Sequence, residues 1–175
     1  MLSEQQRSSL GRHLAERVGE TIENSGLLPL FVTADHEVAD WAARAGFPFV
    51  PDPDQGLDEA ATIGMNWAME AKSSWLVLHS DLPLITTNDL TPLQARLDDG
   101  QPVLAPSSDG GTSAIGGNQR VQFAYGPGSF HRHLAALSTP AVMATTGLLH
   151  DLDSANDLES VLRHPRGEWL RSVLT

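Results

Sequence analysis

The sequence predicts an α/β protein in which a mainly parallel sheet lies between two layers of helices. Segments typical of helices and of strands alternate through the first hundred residues, and such alternation indicates parallel strands joined by right-handed crossovers. The predicted strands are short and almost wholly apolar, as strands buried on both faces are. A chain of 175 residues can form one sizeable core. We therefore expect a single Rossmann-like, three-layer domain over residues 1–175.

The helices are predicted from apolar residues three and four positions apart and from capping residues. In the first helix Leu10, Leu14 and Val18 share one face. Ser3 is its predicted cap and Gly26 its predicted end. Further helices are predicted over residues 38–45, 57–72, 88–97, 129–137 and from 155 onward. The caps predicted for the later helices are Asn88, Ser129 and Ser154, and the second helix is predicted to end at Gly46.

Apolar runs between the helices predict the strands. They cover residues 27–32, 47–50, 75–79 and 102–106, followed by shorter strands over 121–125 and 141–143. Ligands of open parallel sheets bind beyond the carboxyl ends of the strands. Asp81, the loop 109–112 and the turn 126–129 all follow predicted strands. We therefore expect these three features to gather along one edge of the sheet.

The composition narrows the classes of function. The chain has 22 acidic and 11 basic residues and a formal charge of −11, so repulsion disfavours nucleic acid as a partner. A small anionic substrate stays compatible, because a divalent cation can reverse the local field. The absence of cysteine removes thiolate catalysis and zinc–thiolate sites. With no apolar run of roughly 20 residues and no apolar signal segment at the start, we expect a cytoplasmic protein without membrane insertion.

Three aspartates are candidate metal ligands. Asp81 directly follows the apolar run 75–79, and Mg²⁺ favours one or two carboxylates together with substrate phosphate oxygens. A turn aspartate that bonds its own backbone is the alternative interpretation. Asp151 and Asp153 lie two positions apart before the last helix, so their side chains can point the same way and converge. Taken alone, this pair is better explained by the favourable charge at a helix start.

Two glycine-rich segments are candidate anion sites. The loop 109–112 offers backbone N–H groups and the Thr112 hydroxyl, a signal that is weak by itself. The turn 126–129 precedes a predicted helix, where N–H groups and the helix dipole attract phosphate or carboxylate. A plain capped turn is the alternative. His131 and His133, two positions apart on a helix, cannot chelate one metal and are interpreted as inert, and His79 is interpreted as packed.

Four segments in this order resemble the 2-phospholactate guanylyltransferase family. They are HSDLP at 79–83, DGGTSA at 109–114, FAYGPGSF at 123–130 and DLDSANDL at 151–158. The family includes the phosphoenolpyruvate and 3-phosphoglycerate guanylyltransferases of coenzyme F-420 biosynthesis. The resemblance runs from the opening helix to Leu162, and it implies a nucleotide-diphospho-sugar transferase-like fold. It also implies GTP and a small phosphorylated acid as partners and Mg²⁺ as the cofactor.

The family pattern implies roles for nine positions. Asp81 is implied to be catalytic and to hold the metal together with Asp151 and Asp153. The residues implied to hold the carboxylate end of the acid are Thr112, Gly126 and Ser129. The residues implied to lie near the nucleotide are Gln55, Gly56 and Asp58. Family members usually have asparagine where this chain has Asp58, which places that last contact in doubt.

The start of the chain departs from the family. Members begin with a further strand and a basic loop that meets the triphosphate, whereas this sequence opens on the helix. That strand lies between the strands that follow Gly26 and Ser74, so we expect the first strand to be missing and two edges to be exposed, compatible with a homodimer. Arg7 and Arg12 are the nearest substitutes for the loop. The alternatives to a guanylyltransferase are a truncated or degenerate phospho-acid-binding relative and a nucleotidyltransferase of the molybdenum-cofactor type.

Overall fold

The computed structural model describes residues 4–174, and the elements of that range follow in chain order. The helices are α1 (Glu4–Asn24), α2 (His36–Ala45), α3 (Leu57–Glu70), α4 (Thr87–Asp98), α5 (Ser129–Ala136), α6 (Thr146–Leu149), α7 (Ala155–Arg163) and α8 (Leu170–Val173). The strands are β1 (Phe31–Thr33), β2 (Phe49–Pro51), β3 (Trp75–Leu78), β4 (Val103–Pro106), β5 (Thr112–Gly117) and β6 (Ala141–Val142). Within the described range no helix has the length and apolar character to cross a membrane.

The strands form two sheets. β1 and β2 pair in parallel, and the other four strands are ordered β3-β5-β4-β6. β5 is antiparallel to both β3 and β4, and β4 is parallel to β6. Consequently β3, β4 and β6 run in one direction, and their carboxyl ends lie at the same edge. The predicted α/β class and mainly parallel sheet are confirmed, with β5 as the exception.

Helices cover both faces of the four-stranded sheet. Successive strand residues point to opposite faces, so neighbouring residues of β4 enter different cores. Val103 and Ala105 pack with residues of α1 and α4, whereas Leu104 packs with residues of α3. All three are fully buried, and burying a side chain such as Val103 or Leu104 contributes roughly 1.5–3 kcal/mol. A third cluster joins α1 to α7 and α8. The predicted three layers are therefore present.

Several predicted helix ends are confirmed. Gly46 ends α2 with a φ of 81°, in the left-handed region that favours glycine. Ser154 caps α7, and the side chain of Asp157 accepts a hydrogen bond from the Ser154 N–H. Gly26 follows the end of α1, also with positive φ. The predicted cap Ser3 lies outside the described residues.

Two predicted caps are wrong. Asn88 does not cap α4, because Thr86 and Asp89 form a reciprocal capping box that starts the helix earlier. Ser129 does not cap α5, because Gly128 is the residue before the helix and adopts a φ of 70°. Ser129 is the first helical residue, and its hydroxyl donates to Thr112 Oγ1.

The strand predicted over residues 121–125 is not formed. Its backbone N–H groups donate to side chains instead: that of Ala124 to His133 Nε2 at 2.9 Å and that of Tyr125 to Asp58 Oδ1 at 2.7 Å. Because these donors are already bonded, the segment needs no partner strand. Conversely, some elements form where the sequence pattern predicts none. They are β5, α6, α8 and a 3₁₀ turn at Pro165–Gly167.

The division between the two sheets lies beneath α3. This helix packs against both β1 and β3, but β1 and β3 are not paired with each other within residues 4–174. The division coincides with the position where the family resemblance places one further strand.

Candidate active site

Two strands deliver aspartates to the same edge of the sheet. Asp81 follows β3 and Asp109 follows β4, and these strands run in one direction. The carboxylate of Asp109 is fixed by its own loop, because Oδ1 accepts hydrogen bonds from the Ser107 hydroxyl and from the Gly111 N–H, the latter at 2.8 Å. The loop 107–111 therefore presents an oriented carboxylate beside the end of β3.

The segment after α6 returns to this edge. The N–H of Leu152 donates to the carbonyl oxygen of Asp81 at 3.1 Å, so the aspartates on either side of Leu152 lie next to the end of β3. Ligand oxygens of Asp109, Asp151 and Asp153 lie within 4.8 Å of one another. Asp81 is not a member of this close set, but its carboxylate interacts electrostatically with that of Asp153. Four carboxylates thus meet in one region.

The carboxylates repel one another. Burial raises the pKa of Asp81, and the charges of Asp153 and Asp109 raise it further, while His79 opposes the rise. Burial also raises the pKa of Asp151, with smaller contributions from neighbouring aspartates. Asp109 is the exception, since its two hydrogen bonds lower its pKa. A bound cation would relieve this accumulation of negative charge.

His79 connects the aspartates to an aromatic cluster. Its Nδ1 lies 3.9 Å from Asp81 Oδ1, and its ring centroid lies 5.3 Å from that of Tyr125. Tyr125 stacks on Phe123 at 5.9 Å and meets the ring of His133 edge-on at 5.0 Å. Three buried polar atoms of this region have no hydrogen-bond partner within residues 4–174: His79 Nε2, Asp81 Oδ1 and the Tyr125 hydroxyl.

His133 orients the hydroxyl of Thr112. The N–H of Ala124 donates to His133 Nε2, so the ring proton resides on Nδ1, which donates to Thr112 Oγ1 at 2.9 Å. The hydroxyl of Ser129 donates to the same Oγ1 at 3.1 Å. Burial lowers the pKa of His133, which keeps the ring neutral. Because Thr112 Oγ1 already accepts two hydrogen bonds, its own proton is available for a third partner.

Arg132 holds the turn that follows Tyr125. Its guanidinium donates at 2.8–3.3 Å to the carbonyl oxygens of Ala124, Tyr125, Gly126 and Pro127. On the other side Asp58 accepts the Tyr125 N–H. Gly126 and Gly128 have φ values of 99° and 70°, which other residues rarely adopt. The turn is therefore held in one geometry by one cation, one carboxylate and two glycines.

The predicted nucleotide contacts lie on the loop before α3 and in the first turn of α3. Gln55 and Gly56 are exposed, and Gly56, with a φ of 95°, directly precedes the helix. Asp58 joins this loop to the turn after Tyr125. Arg12 forms an ion pair with Glu37, in a cleft between α1 and α2 that is also lined by Glu16, Asp40 and Arg44.

Comparison with known proteins assigns the chain to a family. The model of the MobA-like NTP transferase domain matches residues 7–168. This chain belongs to that family. The nucleotidyltransferase is 32% identical over 143 residues to the phosphoenolpyruvate guanylyltransferase of Sphaerobacter thermophilus, covering 77% of this chain and 69% of that one. It is 26% identical over 152 residues to the 2-phospho-L-lactate guanylyltransferase of Methanothermobacter thermautotrophicus, covering 83% and 68% of the two chains.

A solved structure supports the fold of the nucleotidyltransferase. A crystal structure described as that of a nucleotide-diphospho-sugar transferase from Desulfovibrio desulfuricans G20 matches it with a TM-score of 0.70. The match covers 96% of this chain and 83% of the other at 15% sequence identity. This likeness confirms the nucleotide-diphospho-sugar transferase-like fold.

The nucleotidyltransferase brings together residues that lie far apart in sequence. Asp81 adjoins the segment of Asp151 and Asp153, and Thr112 accepts a hydrogen bond from Ser129, so both predicted groups are assembled. The metal and substrate roles of these residues stay predictions.

Sequence reasoning missed two residues of this region. Asp109 was considered only as part of a glycine-rich loop, although it follows β4 as Asp81 follows β3. His133 is interpreted as inert from the sequence, and its full burial and its hydrogen bonds to both Thr112 and Ala124 were not foreseen. A polar residue at a buried helix position close to the Tyr-Gly-Pro-Gly-Ser turn was the available signal.

Proposed function

We propose that this nucleotidyltransferase is a guanylyltransferase of coenzyme F-420 biosynthesis, transferring GMP from GTP to 2-phospholactate, phosphoenolpyruvate or 3-phosphoglycerate. The guanylyltransferase activities by which its relatives are named support the reaction. One observation of the site carries the proposal: a continuous series of contacts joins the carboxylates to the hydroxyl of Thr112. His79 contacts Asp81 and Tyr125, and His133 contacts Tyr125 and Thr112. A cation-binding group and an anion-binding group are what a phosphorylated acid and a nucleotide triphosphate together require.

The carboxylates fit a divalent cation. The ligand oxygens lie within 4.8 Å of one another, and small side-chain rotations would bring them to the separation of at most about 4.2 Å that two oxygens about 2.1 Å from one Mg²⁺ require. The buried Oδ1 of Asp81 accepts no hydrogen bond from the part of the chain that the structure describes, so it is available as a further ligand. Asp109, Asp151 and Asp153 would hold Mg²⁺ with Asp81 beside them. When bound, Mg²⁺ neutralises the charge of the phosphate oxygens during transfer.

The carboxylate of the acid would bind at Thr112, Gly126 and Ser129. Thr112 donates the proton that its two hydrogen bonds leave free, and Ser129 keeps Thr112 aligned. Gly126 allows close approach of the turn, because it has no side chain and adopts a positive φ. An acid anchored in this way would have its phosphate directed past Tyr125 toward the aspartates.

The reaction asks the protein mainly for positioning. A phosphate oxygen of the acid attacks the α-phosphorus of GTP, the bond to the β-phosphate breaks, and pyrophosphate leaves. Gln55, Gly56 and Asp58 would lie beside the nucleotide, and Asp58 also fixes the turn that holds the acid. Holding both reactants in line removes most of the entropic cost of bringing them together.

Pyrophosphate release tests the proposal. The protein is mixed with GTP, Mg²⁺ and each of the three acids in turn, and we expect release with at least one acid. We expect Asp81→Asn to abolish release while the melting temperature stays level or rises, because the amide removes the charge that burial and the neighbouring aspartates disfavour.

Asp98→Asn is the matched control. Asp98 is an exposed carboxylate at the end of α4, and its neutralisation should change neither turnover nor melting. Full pyrophosphate release by Asp81→Asn would refute the role of Asp81. Binding of an acid by the wild-type protein without release under any condition would identify the binding-only alternative.

A further inference from the structure

We propose that Tyr125 is a substrate-binding residue whose hydroxyl donates a hydrogen bond to the phosphoryl group of the phospho-acid. The inference rests on the proposed function, because it assigns a donor to one end of the proposed substrate. It adds a residue that the family resemblance does not name among those holding the acid.

The first observation is the unpaired hydroxyl itself. The oxygen of Tyr125 is buried and has no hydrogen-bond partner among the described residues. Buried tyrosine hydroxyls nearly always have a partner, and one without a partner destabilises the fold. An orphaned group in a native structure therefore indicates a partner supplied from outside the chain.

The second observation is that other buried polar atoms without hydrogen-bond partners lie near this hydroxyl. Tyr125 contacts His79, whose Nε2 is also buried and unpaired, and His79 adjoins the unpaired Oδ1 of Asp81. On the other side of Tyr125, both ring nitrogens of His133 form hydrogen bonds, and Thr112 Oγ1 accepts two. The unsatisfied polar atoms are thus concentrated between Tyr125 and the aspartates, where the phosphate of an acid anchored at Thr112 is expected.

The third observation is that Tyr125 is held in place. Its N–H donates to Asp58 and its carbonyl accepts from Arg132 at 3.0 Å, and its ring lies between Phe123 and His133. The hydroxyl is therefore not able to turn toward another partner without breaking these contacts. Burial, aided by the charge of Asp58, raises the pKa of Tyr125. The phenol stays protonated and is available as a donor to an anion.

Tyr125→Phe removes only the hydroxyl oxygen and separates the two possible roles. If the hydroxyl serves the ligand, calorimetry in Mg²⁺ should show phosphoenolpyruvate binding weakened by about tenfold or more. GTP binding should be unchanged, and the melting temperature should stay level or rise, because a buried unpaired group is gone. Pyruvate, which keeps the carboxylate but lacks the phosphate, should bind the variant and the wild-type protein equally.

Ser113→Ala is the matched control, because it also deletes one buried hydroxyl oxygen. The Ser113 hydroxyl donates to the carbonyl oxygens of Ala105 and Pro106, so this variant should melt at a lower temperature and bind phosphoenolpyruvate normally. Unchanged phosphoenolpyruvate binding by Tyr125→Phe, or a lower melting temperature with equal loss of both ligands, would overturn the role of Tyr125 alone. No binding of any phospho-acid by the wild-type protein would overturn the proposed function and this inference together.

Discussion

Replacing His133 by phenylalanine isolates the contribution of two hydrogen bonds to the site. His133 is fully buried, and phenylalanine has a larger ring, so the change removes polar atoms without leaving a cavity. It deletes the donor to Thr112 Oγ1 and the acceptor of the Ala124 N–H, each at 2.9 Å. These two bonds have different consequences, one for substrate binding and one for stability.

The stability cost follows from the lost bonds. Each hydrogen bond contributes about 0.5–1.5 kcal/mol, and a buried donor left unpaired costs about 1–3 kcal/mol. With Ala124 N–H orphaned, His133→Phe should lower the free energy of unfolding by roughly 2–4 kcal/mol. For a domain of this size each kcal/mol shifts the melting temperature by about 2–4 °C. A fall of roughly 4–16 °C is therefore expected.

The binding cost arises at Thr112. Once His133 no longer donates, Thr112 Oγ1 accepts only from Ser129, and its proton is free to adopt other orientations. A hydrogen bond to a charged group contributes about 1.5–3 kcal/mol, so losing it should raise the KM for the acid by about 10- to 150-fold. The KM for GTP should not change, because Thr112 is assigned to the acid.

Two conservative variants separate the effects of His133. His133→Gln can place its amide oxygen near the original Nε2 and accept from Ala124, so it should regain most of the stability but not the affinity for the acid. His133→Asn can place its amide nitrogen near the original Nδ1 and donate to Thr112, so it should regain affinity more than stability. Thermal melting and steady-state pyrophosphate release measure the two quantities. A KM for the acid that is unchanged in His133→Phe would refute the orienting role.

Three further predictions concern the frame of the site. The carboxylate of Asp89 accepts a hydrogen bond from Arg166 at 3.0 Å. Burial tends to raise the pKa of Asp89, but its hydrogen bonds and the charge of Arg166 outweigh burial, so the pKa is lowered. The ionised carboxylate therefore stabilises the fold fully above about pH 4, and this stabilisation is lost as the pH falls further. Urea unfolding should show Asp89→Asn less stable by roughly 2–3 kcal/mol at pH 7, with a smaller difference at pH 3. Gly167→Ala would press a methyl group onto the Val161 carbonyl and should destabilise by about 3 kcal/mol or more, whereas a normal melting temperature would contradict that contact. Arg132→Lys cannot hold four carbonyl oxygens and should raise the KM for the acid about tenfold with little change in melting, and an unchanged KM would show that the turn holds its own geometry.

The fold was predictable where local chemistry decides it. Gly46 and Ser154 end and begin helices because of their own conformational and hydrogen-bonding properties, so a short segment contains the information. The segment 121–125 was not predictable in this way. Its apolar pattern is that of a strand, but two of its N–H groups donate to side chains elsewhere. The N–H of Tyr125 donates to Asp58, 67 positions away, and that of Ala124 donates to His133, 9 positions away. Tertiary hydrogen bonds of this kind leave no local signal.

The sequence was enough to predict which loops form the site, but not which side chains contact one another within it. The rule that ligands bind at the carboxyl ends of parallel strands was enough to group Asp81 with the loop 109–112, and the spacing of Asp151 and Asp153 was enough to pair them. That Asp109 rather than Asp81 completes the closest set depends on how the Ser107 and Gly111 donors turn its side chain. Such a rotation is fixed by the fold and is not visible in the order of residues.

Two aspartates of this chain show why the unsatisfied atoms bear on function. Asp89 is almost fully buried, yet its pKa is lowered, because Thr86 and Arg166 surround the carboxylate with donors. The pKa of Asp81 is raised, mainly by burial and further by the charges of Asp153 and Asp109, and its Oδ1 accepts no hydrogen bond from the described residues. Asp89, which helps to start helix α4, is thus surrounded by hydrogen-bond donors, whereas Asp81 at the edge of the sheet is not. Because an unpaired buried charge lowers the free energy of unfolding, the surroundings of Asp81 destabilise the fold, and a bound cation would relieve this destabilisation.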